Sequence, residues 1–166
     1  MTTFRFALIA FFIAAAPAYA AELGVHGDWV ATKLTEANKP LCYMSSAPQT
    51  STGKYKKRGA VYATITHRPA EKSFGVVSFQ AGYTLKKDTP VTVTIDAKKS
   101  FKLFSQGEFA WTMEASDDKA LVKAMRAGSK MVVKGTSSRG TLTTDSYSLS
   151  GFSAALKSIN KACGVQ

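Results

Sequence analysis

Period-two alternation of apolar and polar residues runs through most of the chain and is broken by Gly, Pro, Asp and Lys turns, which is the pattern of strands with one buried and one solvated face. It is clearest where Val61, Ala63 and Ile65 stand against Thr64 and Thr66, where Val91, Val93 and Ile95 stand against Thr92 and Thr94, and where Phe109, Trp111 and Met113 stand against Ala110 and Thr112. In each case the first set is expected in the core. Ile95 and Phe101 flank Asp96-Ala97-Lys98-Lys99-Ser100, a short polar connection that reads as a hairpin, and Pro90 stands at a strand start, where a missing amide donor is tolerated. Further strands are expected around Asp28 to Leu34, Leu41 to Ser46, Phe74 to Phe79, Met131 to Gly135 and Thr141 to Leu149. Ser45 to Lys57, rich in Ser, Thr, Gly and Lys, reads as one mobile surface loop.

Two segments change to helical spacing. In Ser116-Asp117-Asp118-Lys119 the serine is placed to cap free amides, the aspartates oppose the helix dipole, and Gly128 supplies a stop behind the stripe Leu121, Ala124 and Met125. From Gly151 to Lys161, Phe152, Leu156, Ile159 and Cys163 share one face, while Lys157 and Lys161 point away. Many short strands with two short helices predict a mainly β chain built as a two-sheet β-sandwich. At 166 residues, 45% of them apolar, there is room for one core and little for a second.

The N-terminus has the parts of a secretory signal: a basic start ending in Arg5, an apolar run from Phe6 to Ala16, and small residues at Ala18 and Ala20. The run is 11 residues, well short of the roughly 20 needed to span a bilayer. Residues 1–20 are therefore read as a cleaved signal peptide and 21–166 as one domain that does not span the membrane, with a mature charge of +10 once Arg5 leaves. Export places Cys42 and Cys163 in an oxidising compartment, where an even count favours one disulfide closing a loop of 121 residues; two buried free thiols are the alternative.

No constellation for catalysis or metal binding stands out. The only histidines, His26 and His67, are 41 residues apart; His26 reads as solvated, and His67, in register with Ile65, as a structural histidine near a strand end. No His-x-x-x-His or Cys-x-x-Cys pair offers adjacent metal ligands, and no cofactor motif is present. Gly135-Thr136-Ser137-Ser138-Arg139-Gly140 matches the first half of a phosphate-binding loop, but Thr141-Leu142 replaces the required Lys-[Ser/Thr] and a strand follows. A strand-connecting turn is the plainer reading, with an anion held by its amides and Arg139 as the sharper one. Lys54, Lys56, Lys57 and Arg58 cluster around Tyr55, and with Arg139 they make up a candidate anion-binding surface. Read as solvated loop residues, Lys56, Lys57 and Arg58 are expected to accept substitution by Glu without loss of the fold.

Taken in order, Gly27-Asp28-Trp29, Cys42, His67-Arg68-Pro69, Gly82-Tyr83, Ala110-Trp111, Gly135 to Thr141, Asp145 to Leu149, Gly151-Phe152 and Cys163 make the chain resemble the invasion-associated locus B family of exported proteins from Gram-negative bacteria. The resemblance implies an immunoglobulin-like β-sandwich, export, an association in some members with virulence and host-cell invasion, and no enzymatic activity. The expectation is thus a non-catalytic protein of the periplasm or cell envelope, or a secreted one, without cofactor or metal. Its partners would be an anionic envelope or host-cell surface or another protein, and not nucleic acid. The competing reading is a small-ligand protein or enzyme whose site gathers His67, Arg68, Arg139 and Asp145, marked by a deep pocket holding His67 and a carboxylate. A third, a chaperone-like partner in envelope assembly, would be marked by an open sheet edge.

Overall fold

The computed structural model describes residues 19–165. The signal-peptide reading of residues 1–20 therefore lies outside the described residues, apart from Tyr19 and Ala20. The described residues form eleven strands: β1 (Tyr19–His26), β2 (Trp29–Glu36), β3 (Lys39–Ser46), β4 (Thr50–Gly53), β5 (Tyr62–Arg68), β6 (Ser73–Gln80), β7 (Val91–Ile95), β8 (Lys99–Gln106), β9 (Phe109–Trp111), β10 (Lys130–Thr136) and β11 (Leu142–Ser148). Helix α1 (Ala115–Ala127) follows β9, and α2 (Phe152–Cys163) follows β11.

The mainly β class with two helices is as expected, but the two layers are halves of one continuous antiparallel sheet. The order is β1-β2-β3-β5-β6-β9-β8-β7-β10-β11-β4. The join is β8, whose first half pairs with β7 (Val91 opposite Leu103) and whose last residues pair with β9 (Phe104 opposite Trp111). The halves meet face to face: Phe79 of β6 and Tyr147 of β11 lie 6.4 Å apart, and both belong to a buried cluster with Met44, Ile65, Val93, Leu103 and Met131.

Three strand-level expectations need correction. In β9 the inward residue is Ala110, 1% exposed, while Phe109 and Met113 are exposed and Trp111 is half-buried. β9 lies between β6 and β8 at the join, and the inner position there is filled by a methyl group; the aromatic residues stack outside, Phe109 on Trp111 at 5.6 Å and Phe104 beside it at 5.8 Å. The segment Ser45 to Lys57 is not a single mobile loop, because β3 continues to Ser46 and Thr50–Gly53 pairs with β11. The hairpin after Ile95 is tighter than Asp96 to Ser100, since Ile95 pairs directly with Lys99. Its Asp96 carboxylate accepts the N–H groups of Lys130 and Ser129, which hold it below the usual carboxylate range.

Helix α1 also begins differently. Glu114 occupies the cap position without a side-chain bond, so Ser116 is not the cap, and Asp117 and Asp118 fall in the first turn. Asp118 does more than face the dipole. Because β9 covers only Ser78–Gln80 of β6, the next amide, on Val77, donates to Asp118 Oδ1 at 2.9 Å. An amide buried without an acceptor would cost about 1–3 kcal/mol, so the short strand and the buried acid are two parts of one solution. Burial raises the Asp118 pKa above the usual range, against the lowering effect of that hydrogen bond.

Helix α2 follows its sequence reading: Phe152, Leu156 and Ile159 are buried and Lys157 and Lys161 exposed. Phe152 packs edge-on against Trp29 at 5.0 Å, and the indole N–H donates to the Ser148 carbonyl at 3.1 Å. Gly151, at φ +83°, brings the helix start so close to the His26 carbonyl that any Cβ there would collide with it. The helix end is fixed by the Cys42–Cys163 disulfide, with Cα atoms 6.0 Å apart.

His67 is 2% exposed and faces α2. Gly75 N–H donates to its Nδ1 at 2.9 Å, which assigns the proton to Nε2, 2.8 Å from Asn160 Oδ1. This is a satisfied structural histidine, and burial lowers its pKa despite the Asn160 contact. His26 is less solvated than expected, with Nε2 2.9 Å from Ser158 Oγ on α2.

Two outcomes follow. Replacing Cys42 and Cys163 together by alanine should lower unfolding free energy by about 4–5 kcal/mol on the loop-entropy scale; a urea midpoint equal to the parent's would show that the bridge contributes nothing. Because the folded state disfavours His67 protonation, its contribution is present above the unfolded value of about 6.5 and is lost as pH falls below it toward the folded pKa. His67→Gln should thus flatten the stability profile between pH 7 and 5, by at most about 1.4 kcal/mol per pH unit, and parallel profiles would refute the assignment.

Candidate functional site

A cleft of about 780 Å³ opens where the two halves of the sheet are bridged by loops. Its lining comes from the connection from β4 to β5, carrying Lys54, Tyr55, Lys56, Lys57, Arg58 and Gly59, and from the turn from β10 to β11, with Ser137, Ser138, Arg139 and Thr141. Tyr83, Thr84 and Glu108 complete it. All five basic residues singled out from the sequence, from segments some eighty residues apart, thus line one concavity.

They do not play the same part. Arg58 turns inward, its side chain 5% exposed, and forms a bidentate pair with Asp145, Nη1 to Oδ1 at 2.6 Å and Nη2 to Oδ2 at 2.7 Å. Its Nε–H donates to the Ala81 carbonyl at 2.7 Å, and its guanidinium lies 5.0 Å from the Tyr83 ring centre and 5.6 Å from that of Tyr55. Burial alone works against the charged guanidinium; the hydrogen bonds and charge of Asp145 outweigh it and raise the pKa. The backbone comes close here because Gly59 N–H donates to the Gly82 carbonyl at 2.8 Å, and a Cβ on Gly82, at φ +72°, would stand 2.6 Å from the Gly59 carbonyl oxygen. Behind the pair, the hydroxyls of Tyr83 and Thr143 meet at 2.6 Å, and burial raises the pKa of Tyr83 and of Tyr147. Arg58 is therefore a structural clasp of the floor, and its replacement by Glu against Asp145 would not leave the fold intact.

The turn from Gly135 to Gly140 is a strand connection, not an amide cradle. Ser137 N–H donates to the Thr141 carbonyl, Ser138 N–H to the Thr84 carbonyl and Gly140 N–H to the Ser137 carbonyl, each at 2.8 Å, and Thr141 N–H donates to Ser137 Oγ at 3.1 Å. What the turn offers the cleft is side chains: Arg139, Ser138 and Thr141. Lys54, Lys56, Lys57 and Arg139 have no ion pair among the described residues.

The alternative site is not assembled. Arg139 lines the cleft and Asp145 lies beneath it, neutralised by Arg58, but neither His67 nor Arg68 lines it. His67 is held between Asn160 and Gly75, and Arg68 pairs with Glu36 and Glu71. Among the described residues no group of three or more His, Cys, Asp or Glu side chains is arranged to hold a metal.

The family model for the invasion associated locus B (IalB) protein matches residues 29–160. The chain belongs to that family. No curated protein and no solved structure matches it. The IalB family is not known as enzymatic. The segments that carry the resemblance divide by role: Gly82-Tyr83, the Gly135 to Thr141 turn and Asp145 build the cleft and its floor, while Trp29, Cys42, His67 and Gly151-Phe152 seat α2. Sequence reasoning found the cations and missed Asp145 as the partner of Arg58; the only local signal was Gly59 after Arg58, where a Cβ would come within 3.2 Å of the Gly82 carbonyl oxygen.

Asp145→Asn leaves Arg58 buried without its counter-charge and should cost about 3–5 kcal/mol. Lys56→Glu and Lys57→Glu, on exposed side chains, should each change stability by no more than about 0.5 kcal/mol. Urea denaturation of the three variants checks this, and an Asp145→Asn midpoint as high as that of the lysine variants would count against the clasp.

Proposed function

We propose that this chain is an exported, non-catalytic envelope protein that binds anionic ligands through the basic cleft, in the setting of host-cell contact suggested by its family. The observation that carries this reading is the convergence of Lys54, Lys56, Lys57 and Arg139 on one concavity while Arg58, the fifth cation, is held in the floor. A single carboxylate, Glu108, and no histidine or cysteine accompany them, so the lining offers charge and hydroxyls for binding rather than a base and nucleophile pair.

Export is supported by the leader-like N-terminus and by the disulfide, which suits an oxidising compartment. Among the described residues no helix is long and apolar enough to cross a membrane. Cleavage after Ala20 would trim β1 by two residues and keep Ala21 to His26 paired with β2. A protein partner is the second reading, favoured by the ends of the described sheet, where β1 and β4 each pair on one side only.

Attraction of this kind is screened over a Debye length of about 8 Å at physiological ionic strength. The mature protein should bind vesicles containing anionic lipid at low salt and release them as salt rises. Lys56→Glu with Lys57→Glu, a charge change of −4 that leaves Arg58 in place, should weaken binding at unchanged melting temperature. Sedimentation with vesicles reads this out; binding indifferent to salt, or undiminished in the folded double variant, would remove the cleft from the function.

A further inference from the structure

We infer that the ligand of the cleft is a linear oligosaccharide with a negative charge repeated along its length, rather than a single phosphate or carboxylate; this rests on the anion-binding reading above. The first ground is what the cleft lacks. A site for one phosphate is often built from converging amides or a helix N-terminus, and here the amides of Ser137, Gly140 and Thr141 are spent inside the turn and that of Ser138 on the Thr84 carbonyl. The charge in the cleft comes from side chains, and exposed ion pairs are individually weak. Four such cations hold a ligand well only if one molecule engages several of them at once, so that each contact after the first is intramolecular.

The second ground is shape. About 780 Å³ is far more than one small anion fills, and it lies within the range of about 300–1,000 Å³ that encloses extended organic ligands. The cations come from two segments, Lys54 to Lys57 on one and Arg139 on the other, so a ligand long enough to reach both meets more than one positive charge.

The third ground is the rest of the lining. Thr84, Ser138 and Thr141 line the cleft with hydroxyl side chains that suit the hydroxyls of a sugar, and Glu108 adds one acceptor carboxylate. Aromatic surface is scarce: Tyr55 is 37% exposed with Arg58 against its ring, and the Tyr83 hydroxyl is bound to Thr143. Single-stranded nucleic acid is held on successive free aromatic faces, which this cleft does not offer.

The test is calorimetric titration of the mature protein with heparin-derived di-, tetra- and hexasaccharides, inorganic phosphate, a neutral dextran oligomer, and a single-stranded oligonucleotide matched in charge to the hexasaccharide. Affinity should rise by about tenfold or more from di- to hexasaccharide, with no saturable binding of phosphate or dextran and weaker binding of the oligonucleotide. Replacing Lys54, Lys56, Lys57 and Arg139 by alanine should abolish most of it. Replacing Lys86, Lys87, Lys98 and Lys99, which remove the same charge outside the cleft, should change it by less than about threefold. Both variants must keep the parent's melting temperature; should the first not, Lys56→Ala with Lys57→Ala takes its place. Saturable phosphate binding with no dependence on saccharide length would overturn this inference and leave the anion-binding reading standing. Tighter oligonucleotide binding would give the cleft to nucleic acid, equal losses in the two variants would detach binding from it, and no binding of any anion would end both readings.

Discussion

The buried pair between Arg58 and Asp145 is the contact on which the geometry of the cleft depends. The segment Lys54 to Val61 must cross from β4, at the edge of one half of the sheet, to β5 in the other, with no ladder of its own. Arg58 fixes it at its midpoint by reaching Asp145 on β11 and the Ala81 carbonyl beyond β6. Removing two charges from water costs several kcal/mol per ion, and a buried pair is seldom better than an apolar substitute of the same size. Its role is placement: two parallel hydrogen bonds have one geometry, whereas an apolar contact would let the loop slide.

That placement divides the labour among neighbouring cations. One arginine is neutralised and immobile, and the lysines before it are solvated on the same short stretch. Net charge is a poor guide to such a site, since the most strongly held cation contributes least to the outward field. The other end of the molecule obeys a different logic. Around α2 the fastenings are a disulfide, an edge-on aromatic pair and a histidine held between two fixed partners.

How much of this was legible in the sequence follows from where the physical signal lies. β5, β7 and β10 have apolar residues on one face, so burial wrote their alternation into the sequence. β4 is Thr-Ser-Thr-Gly, exposed throughout, and exists because β11 offers it hydrogen bonds; a strand with no buried side chain leaves no pattern to read. β9 misled because three large residues alternate with two small ones, while at the join of the sheet the inner positions are those of Ala110 and Thr112. The cations of the site were visible as a cluster, but which of them turned inward depended on Asp145, 87 residues away. Helix α2 was legible, since about three turns of apolar spacing and the cysteine agreed on one face.

Strand β4 has a consequence for the order in which the molecule comes together. Most neighbours in the sheet are hairpin partners close in sequence, and such contacts close short loops at little entropic expense. β4 instead pairs with β11 across 92 residues, between Thr52 and Thr144, and adds no buried side chain when it docks. Its pairing buries no apolar side chain of its own, and the lysine-bearing wall is attached directly behind it. The wall is therefore held to the rest of the molecule by the Arg58–Asp145 pair more than by the strand that precedes it. Whatever order the strands form in, the lysines take their places only when two segments 87 residues apart have met.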